Sequence, residues 1–117
     1  MNNAHLQWPF FEDHHRTLAA ELEAWAAVSV AHIHSDDNDA DCKQLVSLLG
    51  EAGWLRHAVA GQAFGGRGET VDTRTICLLR ETLARHNGLA DFAFAMQGLG
   101  AGPISLDGSD AQKKAYL

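Results

Sequence analysis

Several kinds of residue in this sequence have types that could do chemistry. Gly61-Gln62-Ala63-Phe64-Gly65-Gly66-Arg67-Gly68 concentrates glycine as a phosphate-cradling loop does. That chemistry needs Lys then Ser or Thr after the second glycine, to reach phosphate and to hold magnesium. Arg67 and Gly68 stand in those places and no strand precedes them, so the segment reads as a connecting loop. Gly98-Leu99-Gly100-Ala101-Gly102-Pro103 fails as a dinucleotide fingerprint, because its last position is Pro103 and again no strand leads into it. Asp37, Asp39 and Asp41 alternate as at the start of a calcium loop. Such a loop needs Gly at its sixth position and Glu at its twelfth, where this chain has Cys42 and Leu48. The acidic run reads instead as a solvated turn that caps a helix.

Seven histidines raise the question of a metal. Neighbours in sequence diverge around a helix, so His14 and His15 are expected to point apart, as are His32 and His34. Neither pair has the i, i+4 spacing that lets two imidazoles share one zinc. A small metal-binding bundle built on His32, His34 and the acidic turn is the weakest of the functional readings, and surface or structural histidines are the plain one. Ser29, Ser47, Ser105 and Ser109 lie in no nucleophile elbow. Cys42 and Cys77 form no Cys-x-x-Cys pair and no disulfide framework, and suit a reducing compartment. No pair of residues announces acid–base catalysis by spacing.

The elements that would carry these residues are helical. From Phe10 to about Ile33 the apolar residues Phe11, Leu18, Leu22, Trp25, Val28 and Ile33 recur near one stripe, among alanines of high helix propensity. Pro9 sits just ahead of the first turn. A second helix is predicted from about Ala40 to Ala52, burying Leu45, Val46, Leu48 and Leu49 and stopped by Gly53. A third spans about Thr70 to His86 with Ile76, Leu79 and Leu83 inward. A fourth covers Ala90 to Leu99 and is closed by Gly100–Gly102, after which Pro103 opens a short turn. Ser109-Asp110-Ala111-Gln112 is a capping box that starts a last helix. With no period-2 strand, the fold class is all-α, an irregular helical bundle with a glycine-rich connecting loop.

The chain's 117 residues make one domain, 46% of them hydrophobic and 21% charged. A net charge of −6 without a basic stripe argues against a nucleic-acid partner. No run approaches the ~20 apolar residues of a membrane span. Met1 to Phe10 lacks the basic and apolar regions of a secretion signal, so the expected location is the cytoplasm. Tyr116-Leu117 fall barely two turns into the last helix, which reads as a chain cut from something longer.

Taken in order, several segments resemble the N-terminal helical domain of the flavin-dependent acyl-CoA dehydrogenases. Phe11-Glu12-Asp13-His14-His15-Arg16-Thr17-Leu18 through Trp25 is similar to that family's opening helix, and Leu48-Leu49-Gly50-Glu51-Ala52-Gly53-Trp54-Leu55 to its second helix and Ala-Gly-Trp turn. Phe64-Gly65-Gly66-Arg67-Gly68 matches its aromatic-Gly-Gly-x-Gly loop. Gly102-Pro103-Ile104 through Gly108, Ser109, Gln112-Lys113 and Tyr116-Leu117 match the end of its first domain. The likeness covers residues 10–117 and leaves 1–9 as an N-terminal extension. Asp107 departs from it, since the family often has an aromatic or small apolar residue before the closing glycine.

The resemblance implies an enzyme of three domains that oxidises acyl-CoA to trans-2-enoyl-CoA. In it a glutamate takes the α proton and FAD takes the hydride. By the same resemblance the catalytic glutamate and most flavin contacts lie in the missing middle and C-terminal domains. This chain alone is therefore expected to be inactive, to hold no FAD tightly, and to contribute no catalytic residue and no metal ligand. Implied partners are the acyl-CoA substrate, the two further domains, copies of the complete enzyme in a homo-oligomer, and an electron-transfer protein. The family's fourth helix lines the acyl-chain tunnel. The matching positions Phe92, Ala95, Met96 and Leu99 fall at i, i+3, i+4, i+7 on one face, which a buried bundle helix would present equally well. Phe64, Gly65 and Gly66 form a second candidate lining segment. The alternative from another class is a stand-alone helical protein-interaction domain without catalysis.

Overall fold

A computed structural model describes residues 3–117. Five α-helices carry the fold among them: α1 (Asp13–Ser29), α2 (Asn38–Glu51), α3 (Thr73–His86), α4 (Gly88–Asp107) and α5 (Asp110–Tyr116). Single 3-10 turns at Ala4–Gln7, Trp54–Ala58 and Gln62–Phe64 complete it. Only one isolated bridge, Ala60 to Gly68, has strand character among the described residues. The expected all-α bundle is what forms. Helix α1 packs on α3, while α2 and α3 both pack on α4, giving a slab of 42 × 42 × 18 Å.

The core lies between these layers. Leu18, Leu22 and Ala26 of α1 and Val30 at its C-cap follow one another at i+4 and are buried; Leu45 and Leu49 do the same on α2, and Leu79 and Leu83 on α3. Fully burying such a side chain stabilises a fold by about 1.5–3 kcal/mol. The line through 18, 22, 26 and 30 explains why Val28 is 72% exposed, although the apolar pattern placed it on the inner stripe. Two residues past Ala26 a side chain points away from that line. On α2, Val46 and Leu48 only flank the core, as Ile76 does on α3.

Helix α1 starts at Asp13 rather than Phe10, because the capping contact is made by Glu12 and His15. Helix α3 starts at Thr73 rather than Thr70, because the Asp72 carboxylate caps it by accepting from the Arg74 amide at 3.0 Å. Gly53 ends α2 with φ +82°, as its position in the sequence predicted. The largest difference is in α4, which runs unbroken through Gly100, Gly102 and Pro103 to Asp107. Glycine lowers helix propensity, but tertiary packing overrides it here. Ala58 sits 3.9 Å from where a Cβ on Gly98 would be, and the Ala60 amide reaches Ser105 Oγ at 3.4 Å. Asn87 holds the α3–α4 corner. Its Oδ1 accepts from the Leu89 and Ala90 amides, and its Nδ2 donates to the carbonyls of Val30 and Ile33 at 2.9 and 2.8 Å. The Ser109 capping box forms as expected, with Ser109 Oγ accepting from the Gln112 amide at 3.2 Å.

Candidate functional site

Two recesses flank the segment that joins α2 to α3. The apolar one, a groove of about 710 Å³, lies between α3 and α4. Ile76 and Arg80 of α3 face Ala95, Leu99 and Leu106 of α4 across it, and Val71 overlies it. Helices α3 and α4 run antiparallel through the Asn87 corner, so position along α4 orders the groove. Arg80 donates from Nε and Nη2 to both carboxylate oxygens of Asp91 at 2.8 and 3.1 Å. That pair stands one turn before Ala95. Fourteen residues further on, about 21 Å along the helix axis, Ser105 marks the other end. The Arg80 side chain that lines the groove there is 51% exposed and that of Asp91 19%, and Leu106 near the other end is 81% exposed. The bond to Asp91 raises the Arg80 pKa further, which keeps the guanidinium charged.

The polar recess, of about 620 Å³, is lined by His14, Glu21, Arg56, His57, Arg67 and Asp72 among others. Burial pushes the His57 pKa down, the guanidinium groups of Arg67 and Arg56 push it further down, and Asp72 opposes them.

At the edge of this recess His14 and His15, expected to diverge, turn to the same carboxylate. Their rings lie 3.9 Å apart, and Nε2 of His15 and of His14 reach Asp72 Oδ2 at 2.7 and 3.3 Å. The chain can do this because Asp72 comes from another helix and sits over the first turn of α1. Ligand atoms of Glu12, His14 and His15 also lie within 4.8 Å of one another, as metal ligands would. His15 is committed otherwise. Its Nδ1 accepts from the Glu12 amide at 3.0 Å, so its Nε2 carries the proton that Asp72 receives, and no lone pair faces a cation. Arg74 already places its charge 2.7 Å from Glu12 Oε2 and 3.6 Å from Asp72 Oδ1. The cluster is an ion-paired clamp between α1 and α3. His32 and His34, at the end of α1, are exposed and join no such group among the described residues.

The four α4 positions singled out by sequence do share one side of the helix, and the structure leaves that side open. Phe92 is 55% exposed, Met96 40% and Leu99 66%. Ala95 and Leu99 line the apolar groove, while Met96 lines a smaller recess beside Tyr116 and Leu117 and Phe92 lines neither. Phe64, Gly65 and Gly66 lie outside both recesses. The Phe64 ring sits under Lys113, with Nζ 5.7 Å from its centroid, and Gly65 is exposed. Gly66 is buried, and a Cβ there would come within 2.3 Å of the Val59 carbonyl oxygen, so only glycine fits. The amides of Gly61, Gly65 and Gly66 donate to the carbonyls of Gly68, Gln62 and Gly61, so this loop has none of those donors left to cradle a phosphate. Asp107 is exposed, so its carboxylate needs no buried partner.

Sequence reasoning missed Arg80 and Asp91. The signal was present: Asp91 is four residues before Ala95, on the same face as the candidate lining residues, and Arg80 follows Ile76 at i+4. A family model described as acyl-CoA dehydrogenase, N-terminal domain, matches residues 12–117. No curated protein matches the chain.

Proposed function

The chain belongs to the acyl-CoA dehydrogenase family as its N-terminal domain, and from that premise we propose that α4 forms one wall of an acyl-chain pocket in an enzyme that oxidises acyl-CoA to trans-2-enoyl-CoA. The observation that carries this reading is the open apolar side of α4. Phe92, Met96 and Leu99 stand exposed on a helix whose opposite side buries Ala90, Ala93 and Phe94. A helix apolar all round is normally covered on every side. An alkyl tail and further apolar protein surface are the covers that suit it.

In this reading Ala95 and Leu99 touch the tail, while Met96 and Phe92, which lie outside the groove, meet the neighbouring domain. Phe64-Gly65-Gly66, which lies outside the groove, has no part in holding the tail in this reading. The chain's own part in the reaction is to bind and orient the tail and to exclude water from it. FAD supplies hydride acceptance in this family. The amides of Gly61, Gly65 and Gly66 are spent on the loop's own carbonyls and do not fit its pyrophosphate; this reading assigns the flavin and the base that takes the α proton to other domains. A homo-oligomer and an electron-transfer partner complete the proposal.

The test is photolabelling of the protein isolated from its native source, with an acyl-CoA bearing a diazirine in its tail. Label on the peptide containing Ala95, Met96 and Leu99, removed by excess unlabelled acyl-CoA, is the expected result. Label confined to other segments, in material that oxidises acyl-CoA with a dye acceptor, overturns the placement of the tail on α4.

A further inference from the structure

We propose that the polar recess between α1 and the α2–α3 connection binds a small phosphate monoester, with Arg56, Arg67 and His57 holding its phosphate. This site is separate from the α4 groove, which lies on the other side of that connection.

In a chain with 15 acidic and 9 basic residues, an arginine readily finds a carboxylate. Arg16, Arg74, Arg80 and Arg85 each do so, at 2.9, 2.7, 2.8 and 2.9 Å. Arg56 and Arg67, which line the recess, form no ion pair among the described residues. The fold nevertheless brings these two cations together. The Arg67 amide donates to the Arg56 carbonyl at 3.1 Å. Arg67 Nη2 and Arg56 Cδ then lie 3.7 and 3.9 Å from where a Cβ on Gly53 would stand, so both side chains converge over that glycine. Arg56 is held in place by its Nε, which donates to the Gly65 carbonyl at 2.8 Å and leaves both Nη groups to donate elsewhere.

The rest of this wall is short of acceptors too. The His57 ring stacks on Trp54, with centroids 6.2 Å apart and planes at 21°, and its nitrogens make no hydrogen bond among the described residues. Trp54 is 8% exposed, and its buried Nε1 has no partner. Burial, Arg67 and Arg56 lower the His57 pKa, and an anion would relieve the part due to the two arginines. Two guanidinium groups and an imidazole match the three terminal oxygens of a phosphate monoester better than the two of a carboxylate. At about 620 Å³ the recess exceeds what a phosphate fills, and Leu18, Ala52 and Val59 offer apolar surface to the organic part of an ester. Asp72 and Glu21 also line it. The charge of Asp72 is already met by His15, His14 and Arg74, and Glu21 stands beyond ion-pair distance of both arginines.

The experiment titrates the histidine rings of the full chain by proton NMR in phenyl phosphate, inorganic phosphate or sodium chloride at matched ionic strength. Phenyl phosphate is expected to raise the His57 midpoint, with half-saturation near about 1 mM, and to leave the exposed His32 and His34 unmoved. Inorganic phosphate should bind about tenfold more weakly, because it covers none of the apolar wall. Arg67→Gln should weaken phenyl phosphate about tenfold. No phosphate-specific movement of His57 up to about 10 mM overturns the site, and so does equal movement of His57, His32 and His34, which would mean an adventitious ion only. Equal affinity for the two phosphates overturns the ester in favour of the free anion. The comparison on the unaltered chain needs no variant to fold, and none of these outcomes bears on the acyl pocket.

Discussion

His15 Nε2 lies 2.7 Å from Asp72 Oδ2, although the two residues are 57 positions apart and each belongs to the start of a different helix. His15 completes the cap of α1 through the Glu12 amide, and Asp72 caps α3 through the Arg74 amide. One imidazole therefore joins two helix starts, and it is fully buried in doing so.

Replacing it should be costly. His15→Ala leaves a cavity and strips Glu12 N–H and Asp72 of a partner. The expected loss is about 3 kcal/mol, read as a lower midpoint in urea unfolding. His14→Ala, whose ring is 59% exposed, should cost well under 1 kcal/mol by the same measurement.

Acid should act through Asp72. Burial alone would raise its pKa, but bonds from His15, His14, Thr75 and the Arg74 amide outweigh that and hold its carboxyl well below the usual carboxylate range. A depressed folded pKa adds stability above the unfolded value of ~3.9, and that stability is lost as pH falls from there toward the folded value. Unfolding midpoints measured from pH 6 downward should drop more steeply for the unaltered chain than for Asp72→Asn. Parallel curves would contradict this.

Asn87 bonds both ends of its amide, to the first turn of α4 and to the carbonyls of Val30 and Ile33. Asn87→Ala should destabilise the chain by about 2 kcal/mol. Asn87→Asp keeps the cap but sets a carboxylate oxygen against the two carbonyls that Nδ2 had satisfied, and it should lose at least as much. Chemical denaturation of the pair separates the two functions.

The open side of α4 gives an opposite expectation. Met96→Glu with Leu99→Lys should shift stability by no more than about 0.5 kcal/mol, because neither side chain is in the core. The same change should lower the fluorescence of a bound hydrophobic dye. A large stability loss would mean that these residues are part of the packing.

His57 reports on the polar recess. With burial, Arg67 and Arg56 all lowering its pKa, Arg67→Gln should move its titration upward toward 6.5. Proton NMR of the imidazole ring measures that midpoint directly.

Most of the helices were legible because i, i+4 apolar spacing and capping chemistry are local. Leu45, Leu49, Leu79 and Leu83 could be placed inside from spacing alone, and Ser109 with Gln112 announced α5. What escaped was decided between elements. Gly100, Gly102 and Pro103 look like a helix end until the Trp54–Ala58 turn and Ala60 are seen packed along α4. His14 and His15 look divergent until Asp72 arrives from α3. The groove's lining was half legible: Ala95 and Leu99 follow from periodicity, whereas Arg80 and Asp91 acquire meaning only when α3 folds back on α4.

At 18 Å across, the slab has room for one layer of inward-facing side chains and no second layer behind it. Hydrogen exchange should show this as a flat map: slow amides confined to the facing sides of α1, α2, α3 and the first half of α4, all released together, with no more deeply protected nucleus among them. Covering either broad surface with another body would then slow exchange throughout the slab at once, since every part of that single layer is equally close to the outside.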